Sequence, residues 1–293
     1  MRYSRALLLA PVAATLLAQD DAESGRFTFD AHVLGSSNSL GSVTRLDASA
    51  GYLLTKRWSI SFGVPYYFVN PSSSTQASTG TGSFQGVGNV FSELRFQLPN
   101  PVVSYVATVT GTAPTGNRDQ GLSTGHATVD WSNYFERAFG ALTPFGEIGI
   151  ANAVSDTQFF IRPYTSYGFV THAQAGAHYR LLRWINVGGS GYLIEPNGQQ
   201  TVVSRVVTRH GPGNVAVPGP ARGLLKHVFE TESVTTGPAD IARDHGVSTW
   251  AALGVHPSFN VYAGYTRSVS YNLNTVFFGV GFRIRRSLGI GGL

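Results

Sequence analysis

No cysteine occurs in the 293 residues, which removes disulfide frameworks, cysteine-ligated metals and thiol nucleophiles from consideration. Charge is scarce: Asp, Glu, Lys and Arg make up 13% of the chain, about half the usual globular share. Apolar runs of helical membrane-spanning length, about 20 residues, are missing after residue 18. Neither a His-Glu-x-x-His nor an EF-hand spacing is present, and Gly80-Thr81-Gly82 has no strand-to-helix context around it. "GGSGY" at 188–192 lacks the last Gly of a nucleophile elbow and reads as small residues packing in a sheet wall. His172 and His178 share a strand face six residues apart, roughly 20 Å, too far for one metal ion. These absences lead us to expect no metal, no cofactor and no enzyme.

The formal net charge of +5 falls once Arg2 and Arg5 are removed, leaving 19 basic against 16 acidic residues. With no basic run and no aromatic RNA motif, nucleic acid is not an expected partner. Arg2 and Arg5 precede the apolar run "ALLLAPVAATLLA" at 6–18, and the acidic "QDDAES" follows. That order of segments is a secretory signal peptide over residues 1–18, cleaved near Ala18. Residues 19–293 then form one domain.

What the mature chain has in abundance is Gly, Phe and Tyr (35, 18 and 13 residues) arranged with a period of two. In "RWSISFGVPYYFVN", residues 57–70, Trp58, Ile60, Phe62, Val64, Tyr66 and Phe68 occupy one face of a strand and Ser59, Ser61, Gly63 and Pro65 the other. "NVFSELRFQL" at 89–98 sets Val90, Leu94, Phe96 and Leu98 against Asn89, Glu93, Arg95 and Gln97. Twelve such segments follow one another, at about 25–35, 42–54, 57–69, 86–98, 101–113, 124–137, 143–154, 167–181, 184–195, 244–256, 258–269 and 273–285. Short connections such as "PNP" and "HPS" alternate with long ones such as "PTGNRDQGLS", "SDTQFFIRPYTS" and the loop 196–243. A soluble sandwich does not explain that alternation, and no fixed repeat marks a solenoid. The pattern predicts an all-β fold, a transmembrane up-and-down antiparallel β-barrel of about 12 strands in a bacterial outer membrane, with periplasmic turns and extracellular loops. Trp58, Phe96, Tyr179, Trp184 and Phe259 lie beside the short turns, where an aromatic girdle belongs.

Three stretches carry a family likeness: "SFGVPYYF", "GVGNVFSELRFQL" and the segment from "TGTAPTGNRDQGLS" to "GEIGIANAV". Their motifs are Pro65-Tyr66, Gly86-Val87-Gly88-Asn89, Pro114-Thr115-Gly116-Asn117 and the Gly-rich stretch Gly121 to Gly125. Over residues 50–155 the chain resembles the outer-membrane family named for the meta-pathway of phenol degradation. Asn89 stands where Asp is commoner, and the 196–243 loop is longer than the family leads one to expect. The resemblance implies a transporter-like barrel linked to small, often aromatic, organic compounds.

Strand parity sends Arg26, Asp30, His32, Arg45, Asp47, Glu93, Arg95, Gln97, His126, Asp130, Glu136, Glu147, His172, Gln174, His178, Arg180 and Arg283 into the lumen. Opposite charges there should pair and narrow a passage. The expected function is a channel or transporter for small, aromatic or otherwise hydrophobic solutes moving through or along a mixed-charge lumen. Its rivals are a non-conducting structural or adhesive barrel and an outer-membrane lipase, which needs a Ser and a His together on the lipid-facing surface. In the long loop, "PARGLLKHVFETES" at 220–233 reads as a short helix able either to fold into the mouth as a lid or plug or to cap the rim. Arg205, Arg209, Arg222 and Lys226 are expected at the surface, facing anionic lipopolysaccharide. The last strand, "FFGVGFRI" at 277–284, has Gly279, Phe282 and Ile284 spaced as in the terminal signal read by the barrel assembly machinery, with Phe277 where a polar residue is usual.

Overall fold

The computed structural model describes residues 26–79, 82–154, 156–157, 160–206, 234–256 and 258–287. The signal peptide, the lid segment 220–233, Arg209, Arg222, Lys226 and the Arg26 side chain lie outside the described residues. The strands are β1 (Arg26–Asn38), β2 (Gly41–Leu53), β3 (Trp58–Pro71), β4 (Phe84–Val87), β5 (Phe91–Leu98), β6 (Ser104–Thr112), β7 (Thr128–Glu136) and β8 (Leu142–Ala151). They continue as β9 (Tyr164–Tyr167), β10 (Val170–Leu182), β11 (Ile185–Pro196), β12 (Gln200–Ser204), β13 (Val234–Gly237), β14 (Asp244–His256), β15 (Phe259–Ser268) and β16 (Leu273–Ser287). One short helix, α1 (Ser73–Thr79), lies between β3 and β4.

Antiparallel neighbours run from β1 through β2, β3, β5, β6, β7, β8, β10, β11, β14 and β15 to β16, which pairs back on β1 with Arg26 opposite Ser287. Twelve wall strands therefore close a barrel, and both ends of the described chain meet on the rim that carries the short turns. Apart from the short β4, which pairs only with β3, closure leaves no open edge in the described wall, the condition for placing strands in hydrocarbon. The exterior answers to that condition: Phe29, Phe62, Trp131, Ile148, Leu193, Val276 and Phe282 are all exposed, Val276 to 62%. A continuous apolar surface of this kind belongs against lipid tails.

The fourth wall strand is broken. The outer half of β3 pairs with β4, Tyr66 opposite Val87, and its inner half with β5, Gly63 opposite Phe91. At the break, residues 88–90, the motifs noted in the sequence converge. Gly88 N–H donates to Pro65 O at 2.8 Å, and the Thr115 hydroxyl donates to Gly88 O at 3.0 Å while accepting Val90 N–H at 2.8 Å. Asn89 Oδ1 accepts Gly116 N–H at 3.2 Å, a task an Asp carboxylate would perform equally, so Asn is tolerated there. Backbone groups freed by the break are thus satisfied by the Pro-Thr-Gly-Asn loop.

On the outer rim, the β1–β2 and β15–β16 connections are tight turns rather than long loops. Described segments of the longer connections build a cap. β9, β12 and β13 form a separate three-stranded sheet whose apolar residues, Tyr164 and Val202 among them, pack with Phe160, Ile194, Tyr271 and Leu273. Below it, Leu122 and Ile161 descend from loops onto the inward-facing Leu34, Tyr67, Val69, Trp250, Tyr262 and Phe277. The lumen is therefore not lined by charge alone, and the inward Phe277 is buried in this cluster, which accounts for its apolar character.

Candidate functional site

Alternation along each wall strand places most of the expected lumen residues on the inner face, and they sort into small groups. Asp30 of β1 and Arg283 of β16 are register partners and form an ion pair, with His32 half-buried two residues along. Arg45 and Asp47, both on β2, pair at 2.9 Å. Arg95 lies within electrostatic range of Glu93, Asp30 and Glu147. His172 on β10 reaches Asp130 on β7 at 3.2 Å and Glu147 on β8 at 3.9 Å, where Gly149 is needed because a Cβ there would sit 2.3 Å from the imidazole. Gln174 donates to Ser190 Oγ at 2.7 Å. Among the described residues, no group of three or more His, Asp or Glu side chains is arranged to hold a metal ion.

Nearer the inner rim, the Tyr134 hydroxyl donates to Glu136 at 3.1 Å, His178 is buried with its ring 6.2 Å from that of Phe145, Gln97 donates to Lys56 O, and Arg180 donates to Gly140 O at 3.0 Å. His126 departs from expectation: β7 starts only at Thr128, so His126 stands in the preceding loop, exposed, stacked 4.4 Å from Tyr167. Trp58, Phe96, Tyr179, Trp184 and Phe259 all sit beside inner-rim turns. There Trp58, Phe96, Tyr105 and Phe135 form a row with successive ring distances of 4.9, 6.4 and 5.0 Å.

The densest polar cluster joins the loops to the wall. Asp156, from the 152–163 loop, accepts hydrogen bonds from Arg205 Nη1 at 2.6 and 2.7 Å, Arg45 Nη1 at 3.2 Å, the Tyr67 hydroxyl at 3.1 Å and Arg162 N–H at 2.9 Å. Burial alone would raise the Asp156 carboxyl, but Arg205 and then Arg45 outweigh it and hold it below the ordinary carboxylate range. Arg205 was expected at the surface; it is instead 5% exposed and packs its guanidinium 4.9 Å over the Tyr67 ring. A surface position would forfeit the charge-assisted contact of Nη1 with both Asp156 oxygens. Next to it, Arg162 approaches Asp244 at 3.7 Å, and Asp244 also accepts from Ser268 at 2.6 Å and Tyr192 at 3.0 Å. Ser36 Oγ fastens the same loop to β1 through Ile161 O at 3.1 Å. This latch holds the loop inside the outer half of the barrel.

The alternation of connection lengths predicts 155–166 only as a long extracellular loop. The signal that could have found it is its composition, since Phe160 and Ile161 beside Asp156 and Arg162 are too apolar for a solvated loop. Gly121 supports the latch from the neighbouring loop. Its φ is +69°, and a Cβ would lie 1.8 Å from Ser204 O, directly before Arg205. Gly121→Ala is therefore expected to cost about 1–3 kcal/mol locally. The check is limited proteolysis, with faster cleavage of the outer loops and an unchanged heat-dependent gel shift of the barrel.

One Ser–His pair stands on the outer surface. Ser270 Oγ, half-buried, lies 2.8 Å from Nδ1 of the exposed His245, at the end of a lipid-facing groove of about 540 Å³ lined by Ala175, Leu193, Val247 and Val269 among others. Ser270 Oγ also accepts His245 N–H at 3.2 Å, a bond that closes the turn.

No family model matches the chain, and no curated protein does; the family resemblance of residues 50–155 rests on its motifs. Solved structures do match. The NanC porin superposes with a TM-score of 0.48 at 11% identity over 87% of this chain and all of its own. The KdgM porin in complex with disordered oligogalacturonate gives 0.45 at 8% identity, over 87% of this chain and 98% of its own. An outer membrane channel from Pseudomonas putida F1 covers 90% of this chain and 96% of its own with a TM-score of 0.55 and 15% identity, a likeness that identifies the fold as that of an outer-membrane β-barrel.

Proposed function

We propose that the chain is a bacterial outer-membrane channel for small organic solutes, narrowed from its outer side by the loop that Asp156 latches to the wall. The observation that carries this reading is the make-up of the interior. Inward-facing rings of Tyr134, Phe145, Trp250 and Tyr262, with Phe145 5.7 Å from Tyr134 and 6.2 Å from Trp250, run beside the charged groups of β1, β2, β5, β7, β8, β10 and β16. A lumen in which aromatic rings lie beside ion pairs and other charged groups suits solutes that have an apolar body and a polar end. The motif resemblance of residues 50–155 points to the same class, small aromatic compounds included. Lipopolysaccharide and phospholipid surround the barrel, and its last strand is the segment offered to the assembly machinery.

Liposome swelling tests the proposal. Vesicles carrying the purified protein are expected to admit neutral solutes of benzyl alcohol to monosaccharide size faster than protein-free vesicles. Swelling no faster than in protein-free vesicles, for wild type and for Asp156→Ala alike, would leave a structural barrel as the better reading.

A second reading is favoured by the Ser270–His245 pair above its apolar groove: hydrolysis of membrane lipid, with Ser270 as nucleophile and His245 as base. Among the described residues no group hydrogen-bonds His245 Nε2 to orient the ring, which ranks this reading second. Fatty-acid release from phospholipid vesicles that vanishes in Ser270→Ala would reverse the ranking.

A further inference from the structure

We propose that Arg45, Arg205 and Tyr67 form a binding site for small carboxylates with an apolar body, and that Asp156 is its built-in occupant, displaced when such a solute arrives. The proposal rests on the channel reading and names the solute class for it.

The donors and the acceptor reach this site from different parts of the chain. Arg45 and Tyr67 are fixed in the wall on β2 and β3, and Arg205 directly follows β12 of the cap sheet. The carboxylate arrives on a separate loop, between β8 and β9. Arg45 is oriented independently of that loop by Asp47, 2.9 Å away. The wall half of the site, Arg45 and Tyr67, is therefore preformed, and Arg205 is held beside it by Arg162 O at 3.1 Å and Pro163 O at 2.8 Å. Asp156 fills the site in the way a free carboxylate would, with a two-oxygen contact to one guanidinium, a single contact to a second and a phenol hydroxyl.

Charge points to a monoanion. Arg45 and Arg205 face Asp47 and Asp156 and balance them; without Asp156 the cluster holds one positive charge in excess. A phosphate or sulfate dianion would overshoot that charge, whereas one carboxylate restores it. Arg205 also has capacity to spare, because its buried Nε finds no acceptor among the described residues. A carboxylate not tethered to a backbone can turn to take Nε and Nη together, the fork geometry that suits guanidinium. Apolar surface for the body of the solute adjoins the site outside the Asp156 loop: Val69 and Leu122 belong to the same buried cluster as Tyr67.

Because the tethered Asp156 competes at an effective concentration of the order of millimolar or more, the wild-type protein should bind a free carboxylate weakly and the latch-free protein tightly. Benzoate is the probe and benzamide its neutral control, titrated by calorimetry into protein purified from outer membranes. Asp156→Ala is expected to bind benzoate at least ten times more tightly than wild type and to discriminate against benzamide. Asp156→Asn, which keeps the side-chain volume, should do the same to a lesser degree, and Arg205→Met added to Asp156→Ala should abolish the gain. Equal binding of benzoate and benzamide by both Asp156 variants, or a gain that survives Arg205→Met, would overturn the proposal. Planar-bilayer currents separate the two readings. Currents in Asp156→Ala that benzoate leaves unchanged, with no benzoate binding, remove the carboxylate site and leave the channel. Selective benzoate binding without any current removes the channel and with it the displacement of Asp156 by a passing solute.

Discussion

Ile148→Arg is expected to destabilise the folded barrel by about 2–4 kcal/mol, the cost of an arginine on the lipid face near mid-bilayer, while Glu147→Gln, one residue away, should change stability by about 1 kcal/mol or less. The contrast follows from strand geometry. Ile148 projects outward from the middle of β8 and is 58% exposed, so an arginine there meets hydrocarbon. Glu147 points into the lumen among His172, Asp130 and Arg95, where other polar groups and water can serve it. Unfolding by guanidinium in lipid vesicles measures both. Equal costs, or a larger one for Glu147→Gln, would mean that the two faces of β8 have been exchanged, as a one-residue slip in register would do.

Asp156→Ala is expected to raise channel conductance several-fold. Removing the carboxylate leaves Arg205 buried without its ionic partner, a situation that costs about 3–5 kcal/mol, and the 152–163 loop loses all its contacts through that side chain. The loop-in arrangement then keeps the Ser36–Ile161 and Arg162–Asp244 contacts and the packing of Phe160 and Ile161, but loses the ion pairs that tie it to Arg45 and Arg205. Acid should imitate the substitution, with a sign fixed by the direction of the shift. The carboxyl of Asp156 lies below its ordinary range, so the stabilisation it contributes is complete above the unfolded value near about 4. It is lost as pH falls through the still lower folded value. Wild-type conductance should stay flat from pH 7 to about 4 and rise in stronger acid toward that of Asp156→Ala, whereas the variant lacks that acid step. Planar-bilayer recordings of the two proteins at matched ionic strength check this, the variant correcting for titration of the other lumen carboxylates.

The wall was legible in the sequence because each strand writes its two faces in alternate residues. The run from Trp58 to Phe68 or from Val276 to Ile284 needs no neighbour to be read. The break in the fourth strand was not legible, since Gly86-Val87-Gly88-Asn89 continues the alternation on paper and only the return of Thr115 shows why pairing stops. Parity also hides chemistry. It predicts that an inward residue is polar, yet Phe145, Trp250 and Phe277 point inward, Trp250 over Gly188 and Phe277 over Gly264, where an added Cβ would lie 2.5 Å from the ring in each case. The latch escaped for a different reason: Asp156 meets Arg45 across 111 residues and Arg205 across 49, and no local pattern encodes such contacts. Loop residues have no parity, so Arg205 was assigned by charge alone to the surface and His126 by a strand drawn four residues too long at its start.

The absence of cysteine allows the central claim, that the inner faces of the wall strands line the path of the solute, to be measured at single positions. Gln174→Cys and Glu147→Cys place a thiol on the lumen side, and Ala175→Cys and Ile148→Cys place one on the lipid side of the same strands. Each is recorded in a planar bilayer while a charged methanethiosulfonate reagent is added. Current that falls irreversibly for Gln174→Cys and Glu147→Cys and stays unchanged for their neighbours is the predicted result. Block at Ala175→Cys or Ile148→Cys with none at the other two would contradict it, because the face assigned to lipid would then be the one that meets the permeating ions.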